Sequence, residues 1–157
     1  MTERMPPVIS ETVLVLAESF GETVNASRAA EAIGRGIEAD GRLECDRCPL
    51  DAPTRTPDTS AGQVSKLLDA LDFDRRMRAA RAVVIARERL DDRTLAGSVA
   101  FEAATRARQG GVPAYAVAAR NDLDPFEARV VDLQVILEAS TPRALSAAGR
   151  KLAALVI

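Results

Sequence analysis

Val13-Leu14-Val15-Leu16-Ala17 is an unbroken apolar run of strand length, and its reading decides the fold. A strand with one wet face alternates apolar and polar residues. A run with no polar position is covered on both faces, as the strands of a parallel sheet are by their crossover helices. The residues that follow fit. After the polar loop Glu18 to Val24, Asn25 is a good helix N-cap, and Ala26, Ala30, Ile33 and Ile37 recur at helical spacing until Asp40-Gly41 stops them.

The same rhythm continues along the chain. Leu43 to Cys48 alternates, which suits a sheet edge, and Pro49 ends it. Asp51 to Ser60 (DAPTRTPDTS) is rich in proline, aspartate and hydroxyl residues and reads as a linker. Ser60 with Gln63 forms a capping box, and Val64, Leu67, Leu68 and Leu71 give the next helix its apolar stripe. Ala82 to Ala86 is a third strand, Thr94 to Gln109 a helix closed by Gly110-Gly111, and Ala114 to Ala118 a fourth strand. Asp124-Pro125 opens a short helix before a fifth strand, Leu133 to Leu137. Thr141-Pro142 opens the last helix, lined by Ala144, Leu145, Ala148, Leu152 and Leu155. Strands alternating with helices predict an α/β fold: a three-layer α/β/α, doubly wound parallel sheet with right-handed crossovers.

Length and composition fit a single domain spanning 1–157, since 157 residues with 47% apolar content bury a core without staples. One Tyr, four Phe and no Trp leave little for stacking on single-stranded nucleic acid, and a net charge of −2 gives no basic field toward DNA, RNA or an anionic membrane. The N-terminal residues are polar, and Val13 to Ala17 is far shorter than a signal-peptide core, so the expected location is cytoplasmic. With no histidine and two cysteines, any chemistry rests on carboxylates, Arg, Lys or hydroxyls.

Cys45-Asp46-Arg47-Cys48 has the spacing of redox and zinc sites, but no second pair or histidine completes a tetrahedral zinc set. Along a strand, residues three apart point to opposite faces and cannot join, so two semi-buried thiols are expected. Gly34-x-Gly36 lies inside the first helix rather than in a strand-to-helix turn; its glycines suit close helix packing, not a dinucleotide. Two loops follow apolar strands and so sit at the carboxyl edge, where doubly wound sheets bind ligands. In the first, Glu18 to Asn25, the candidates are Glu18, Ser19, Thr23 and Asn25; in the second, Arg87 to Thr94, they are Arg89, Asp91, Arg93 and Thr94. Arg89 and Arg93 can clamp a carboxylate or phosphate near a helix start at Thr94, and the competing reading is mutual ion pairing at a solvated loop.

At these loops the chain resembles the bacterial glycerate kinases. Val13 to Gly36, VLVLAESFGETVNASRAAEAIGRG, is similar to that family's opening strand, Asp-Ser-Phe-Lys-Gly-Ser loop and Ala-rich helix. Leu67 to Val117 resembles its later segment with Gly-Glu-Gly-Arg-Leu-Asp, Gln-Thr and Gly-Lys motifs. The resemblance implies a flavodoxin-like (Rossmann-like) sheet of five strands in order 2-1-3-4-5. In the family a second α/β domain interrupts this one, and glycerate is phosphorylated with ATP and magnesium between the two. Here 51–60 stands where that insert is expected. Of the loop residues, Ser19, Phe20, Arg89, Leu90, Asp91, Thr94 and Gly97 match, while the family's lysines become Gly21 and Ser98. Glu18 replaces an Asp and Thr23 a Ser, the family's Gly-Glu-Gly becomes Ala86-Arg87-Glu88, and its Gln becomes Arg93.

Because phosphoryl transfer is mostly positioning and charge neutralisation, these losses imply a glycerate-kinase-like domain without kinase activity of its own. It would serve as a small-anion or metabolite-binding or regulatory module, with no catalytic residue, metal or resident cofactor. The alternatives are an active glycerate kinase using ATP and Mg, with a second chain supplying the missing domain, and a structural homo-oligomer. A homodimer is expected to cover the surface that the absent insert leaves at the end of the second strand.

Overall fold

The structure, a computed structural model, describes residues 11–50, 61–91 and 97–156. In chain order the elements are β1 (Thr12–Ala17), α1 (Ala26–Glu38), β2 (Glu44–Pro49), α2 (Ala61–Ala70), α3 (Phe73–Arg78), β3 (Ala82–Leu90), α4 (Val99–Gln109), β4 (Ala114–Asn121), α5 (Pro125–Val130), β5 (Leu133–Glu138) and α6 (Pro142–Val156). The strands form one sheet in the order β2-β1-β3-β4-β5, every neighbouring pair parallel. This is the doubly wound, flavodoxin-like arrangement expected from the sequence.

β1 explains why the layers separate as they do. Its alternate side chains enter two different cores: Val13, Val15 and Ala17 pack with Ile33 and Ile37 of α1 and Leu145 and Leu152 of α6. Leu14 and Leu16 pack on the other face with Leu68 of α2, Phe73 and Met77 of α3 and Ala103 of α4. Every residue from Val13 to Ala17 is buried, so no polar position was tolerable in the run. β2, the alternating strand, is indeed at an edge.

Caps set most helix starts where the sequence placed them. The Asn25 side chain accepts from Arg28 N at 2.8 Å, the Asp124 side chain from Glu127 N at 2.8 Å, and the Thr141 hydroxyl from Ala144 N at 3.1 Å. Ser60 and the linker 51–60 lie outside the described residues. Other boundaries differ from expectation. β3 does not stop at Ala86 but runs to Leu90, and β4 runs to Asn121, with Arg87 opposite Ala118 and Arg89 opposite Arg120. Leu90 is buried against Ala116 and Ala118, and this anchors the extension. α4 begins at Val99, not Thr94: the Ser98 hydroxyl accepts from Phe101 N at 3.0 Å, and Gly97 before it has φ +74, outside the helical region. The helix after the linker ends at Ala70, and a further short helix, α3, not expected from the sequence, starts beyond Asp72, which takes a left-handed φ of 55.

The second strand ends differently from expectation too: Pro49 is its last residue rather than a stop beyond it, and Cys48 and Leu50 are both buried. Among the described residues the large exposed apolar side chains are Phe126, Val130 and Leu155, on α5 and at the end of α6.

The glycines of α1 work against two different neighbours. A Cβ on Gly36 would collide with the Ser146 carbonyl oxygen of α6, and one on Gly149 of α6 with the Ile33 carbonyl oxygen of α1, so these helices cross backbone to backbone. Gly34 instead makes room for the Arg47 guanidinium of β2. Gly36→Ala and Gly149→Ala are each expected to lower the unfolding free energy by about 2 kcal/mol, because overpacking against backbone outweighs the helix-propensity gain of about 1 kcal/mol. Urea denaturation checks this; midpoints equal to wild type would show that the helices separate freely.

Candidate functional site

The carboxyl ends of β1 and β3 lie side by side, with Ala17 opposite Ala86 as the last register pair. From β1 the chain departs to β2 on one side, and β3 lies on the other, so this is the switch point of the sheet. Just beyond it Glu18 N donates to the Ala86 carbonyl at 2.8 Å, and Phe20 N donates to the Val24 carbonyl at 2.7 Å, closing a tight turn whose Phe20 and Val24 side chains are buried. Gly21, with φ +73, turns the chain there; a Cβ on it would meet Glu88 Oε1 at 3.4 Å.

An ion pair spans the gap. Arg87 Nε lies 3.6 Å from Glu18 Oε2, with the two side chains only 17% and 14% exposed. Arg87 Nη1 is buried with no hydrogen-bond partner among the described residues. Farther out, Arg89 pairs with Asp91 and with Asp122, each at 3.1 Å, and Arg120 shares Asp122 at 2.9 Å. Arg89 and Arg120 face each other across the β3–β4 ladder, and Asp122 between them relieves that repulsion. The arginines that β3 and β4 bring to this edge are thus matched by carboxylates within the chain.

The sequence candidates fall into three groups. Glu18 is committed to Arg87, and Ser19 is half-buried beside it. Thr23 and Asn25 are tied to α1: the Thr23 carbonyl accepts from Arg28 Nη1 at 3.1 Å, and Asn25 Oδ1 is used in the cap. Arg89 and Asp91 are brought together, but on a strand end rather than in a loop at a helix start. Arg93 and Thr94 lie outside the described residues. Sequence reasoning passed over Arg87, Asp122 and Arg28. The signal for Arg87 is its place straight after an apolar strand, which marks it for the carboxyl edge.

The model of the glycerate kinase family matches residues 59–155, well over half of the chain. The chain belongs to the glycerate kinase family. The match begins at the linker and takes in β3 and β4 with their arginines, but leaves out β1 and its turn. Among solved structures, a protein described as pilus assembly-related from Burkholderia pseudomallei is 24% identical with a TM-score of 0.48, covering 92% of this chain and 90% of that one. A protein described as glycerate kinase 2 from Salmonella typhimurium is 15% identical with a TM-score of 0.45, covering 78% of this chain and 29% of that one. No curated protein sequence matches. Among the described residues no helix is long and apolar enough to cross a membrane, and no cluster of three potential metal-binding side chains occurs.

The two thiols stand apart from this edge. Cys45 packs into the core under α1 and α6, Cys48 into the opposite one, so β2 holds them on opposite faces of the sheet; both are free. Cys48 Sγ accepts from Arg76 Nη1 at 3.3 Å, and Arg76 also binds Asp46, which ties α3 to β2. Burial pushes the Cys45 thiol up to about 12 and raises Cys48 as well. A thiol whose pKa is raised on folding stabilises the fold below its unfolded value near 9.0, and that contribution is lost as pH climbs toward about 12. Native protein at pH 8 should therefore react with a thiol-specific disulfide reagent at least about tenfold more slowly than urea-unfolded chain, and its stability should fall above pH 9. Equal rates in the two states would contradict this burial.

Proposed function

We propose that this member of the glycerate kinase family does not transfer phosphate on its own and that its carboxyl edge serves as a small-anion or metabolite-binding, regulatory surface. The observation that carries the reading is the Glu18–Arg87 ion pair. It lies across the switch point of the sheet, where a doubly wound fold seats its ligand, and it consumes within the chain charges that a phosphoryl-transfer site needs for metal and phosphate.

Three further features support it. The two lysines of the sequence, Lys66 and Lys151, are exposed on α2 and in the later half of α6, away from the carboxyl edge. At the positions where the family resemblance expects lysine, Gly21 forms a left-handed turn and Ser98 caps α4. Between β2 and α2 only residues 50–60 intervene, too few for the second domain with which the family completes its cleft. Without that domain nothing holds ATP and magnesium in line with a hydroxyl. What remains at the edge is Ser19, Thr23 and the amide nitrogen of Asn25, donors suited to an oxyanion.

The test is a coupled assay of purified protein with ATP, magnesium and glycerate. Turnover at the rate of the protein-free control is expected. Saturable phosphorylation of glycerate, lost on Glu18→Ala, would overturn the proposal and restore the kinase reading.

A further inference from the structure

Where an anion would sit follows from the distribution of charge around the carboxyl edge. A groove of about 560 Å³ runs along the outer face of α1 to the start of α6, lined by Ser27, Arg28, Glu31, Ala32, Arg35 and Pro142. The acid that lines it is already committed: Glu31 pairs with Arg35 at 3.1 Å and with Arg47 of β2 at 2.9 Å, and Arg47 in turn meets Glu38 at 2.8 Å, so two carboxylates serve two guanidiniums. Arg28 is left over. Its Nη1 donates to the Thr23 carbonyl at 3.1 Å, and among the described residues no carboxylate faces it. That bond holds the guanidinium at the mouth of the groove, with its remaining N–H groups still to be satisfied. The arginines of β3 and β4 differ in this respect, since each already meets an acid.

We propose that this groove seats the oxyanion of a small phosphorylated or carboxylate metabolite, with Arg28 as its charge contact. The inference rests on the anion-binding reading above and places the charge contact on α1, in place of the sequence candidate Arg89 on β3. The groove is large enough for a metabolite of a few carbon atoms, and Arg28 presents the planar fork that phosphate and carboxylate accept. An exposed arginine is ordinarily just solvated; this one is tethered by its own chain beside a cavity in which every other charge is paired.

The experiment is an amide NMR titration of the full chain with inorganic phosphate and, separately, with acetate at constant ionic strength. The variants are Arg28→Ala, Arg89→Ala and, as a control for general charge, Arg150→Ala farther along α6. Alanine at an exposed position inside α1 raises helix propensity, so Arg28→Ala keeps the fold. Saturable shifts at Ser27, Ala32 and Arg35 in wild type, weakened at least about tenfold in Arg28→Ala and unchanged in Arg150→Ala, are expected. Phosphate acting alone would mark a phosphorylated metabolite, and acetate acting as well a carboxylate. Unchanged affinity in Arg28→Ala, or equal weakening in Arg150→Ala, overturns the groove. If Arg89→Ala alone abolishes binding, the groove fails and the anion reading survives at β3. No saturable shift in wild type ends both.

Discussion

β1 is the constraint on which everything else depends. It is hydrogen-bonded to β2 on one side and β3 on the other, and its alternate residues feed both cores. A strand in that position has no solvated face, so its composition is fixed by burial, and each neighbour takes its register from it. Its carboxyl end is likewise fixed. Where the apolar run stops, the next side chain, Glu18, emerges still mostly buried and next to the end of β3. A carboxylate there is costly without a counter-charge, and Arg87 is the counter-charge at hand.

That pairing lies at the point where a doubly wound sheet seats its ligand. In a doubly wound sheet the crevice at the switch point is open because two loops diverge from it. Here the β1 turn is pulled in by the buried Phe20 and Val24 and rests against Glu88, while β3 continues as strand through Arg87 to Leu90. The sheet order of the doubly wound fold is complete, and the charges that β3 and β4 bring to its edge answer acids of the same chain. Arg47 and Arg76 serve a comparable purpose at the β2 edge, tying that strand to α1 and α3 through Glu38 and Asp46. Both are braces between elements, with their positive charge spent inside the molecule.

The fold was legible because its decisive signals are local. Val13 to Ala17 is apolar without interruption, Asn25 and Asp124 are good caps, and strands alternate with helices; the strand order came from these crossovers together with the family resemblance. The site was less legible because its geometry is non-local. Arg87-Glu88-Arg89 reads as a polar loop, and only pairing with β4 and burial of Leu90 against Ala116 and Ala118 make it strand. The short helix α3 escaped the reading because its apolar contacts, Phe73 and Met77, are too few to show a period over six residues. The contact between Glu18 and Arg87 requires knowing that β1 and β3 end together, which the parallel topology gave. That their side chains meet is a tertiary fact carried by no local signal.

A double-mutant cycle on Glu18 and Arg87 tests the central claim most directly. Unfolding free energies are measured by urea denaturation for wild type, Glu18→Gln, Arg87→Met and the double variant. If the pair braces β1 against β3 across the switch point, each single change strands a buried partner, and the double change costs less than the sum of the two. The expected coupling energy is about 1–3 kcal/mol. Additive single effects, with a coupling energy of zero within error, would show that the two charges do not depend on each other and would contradict the account.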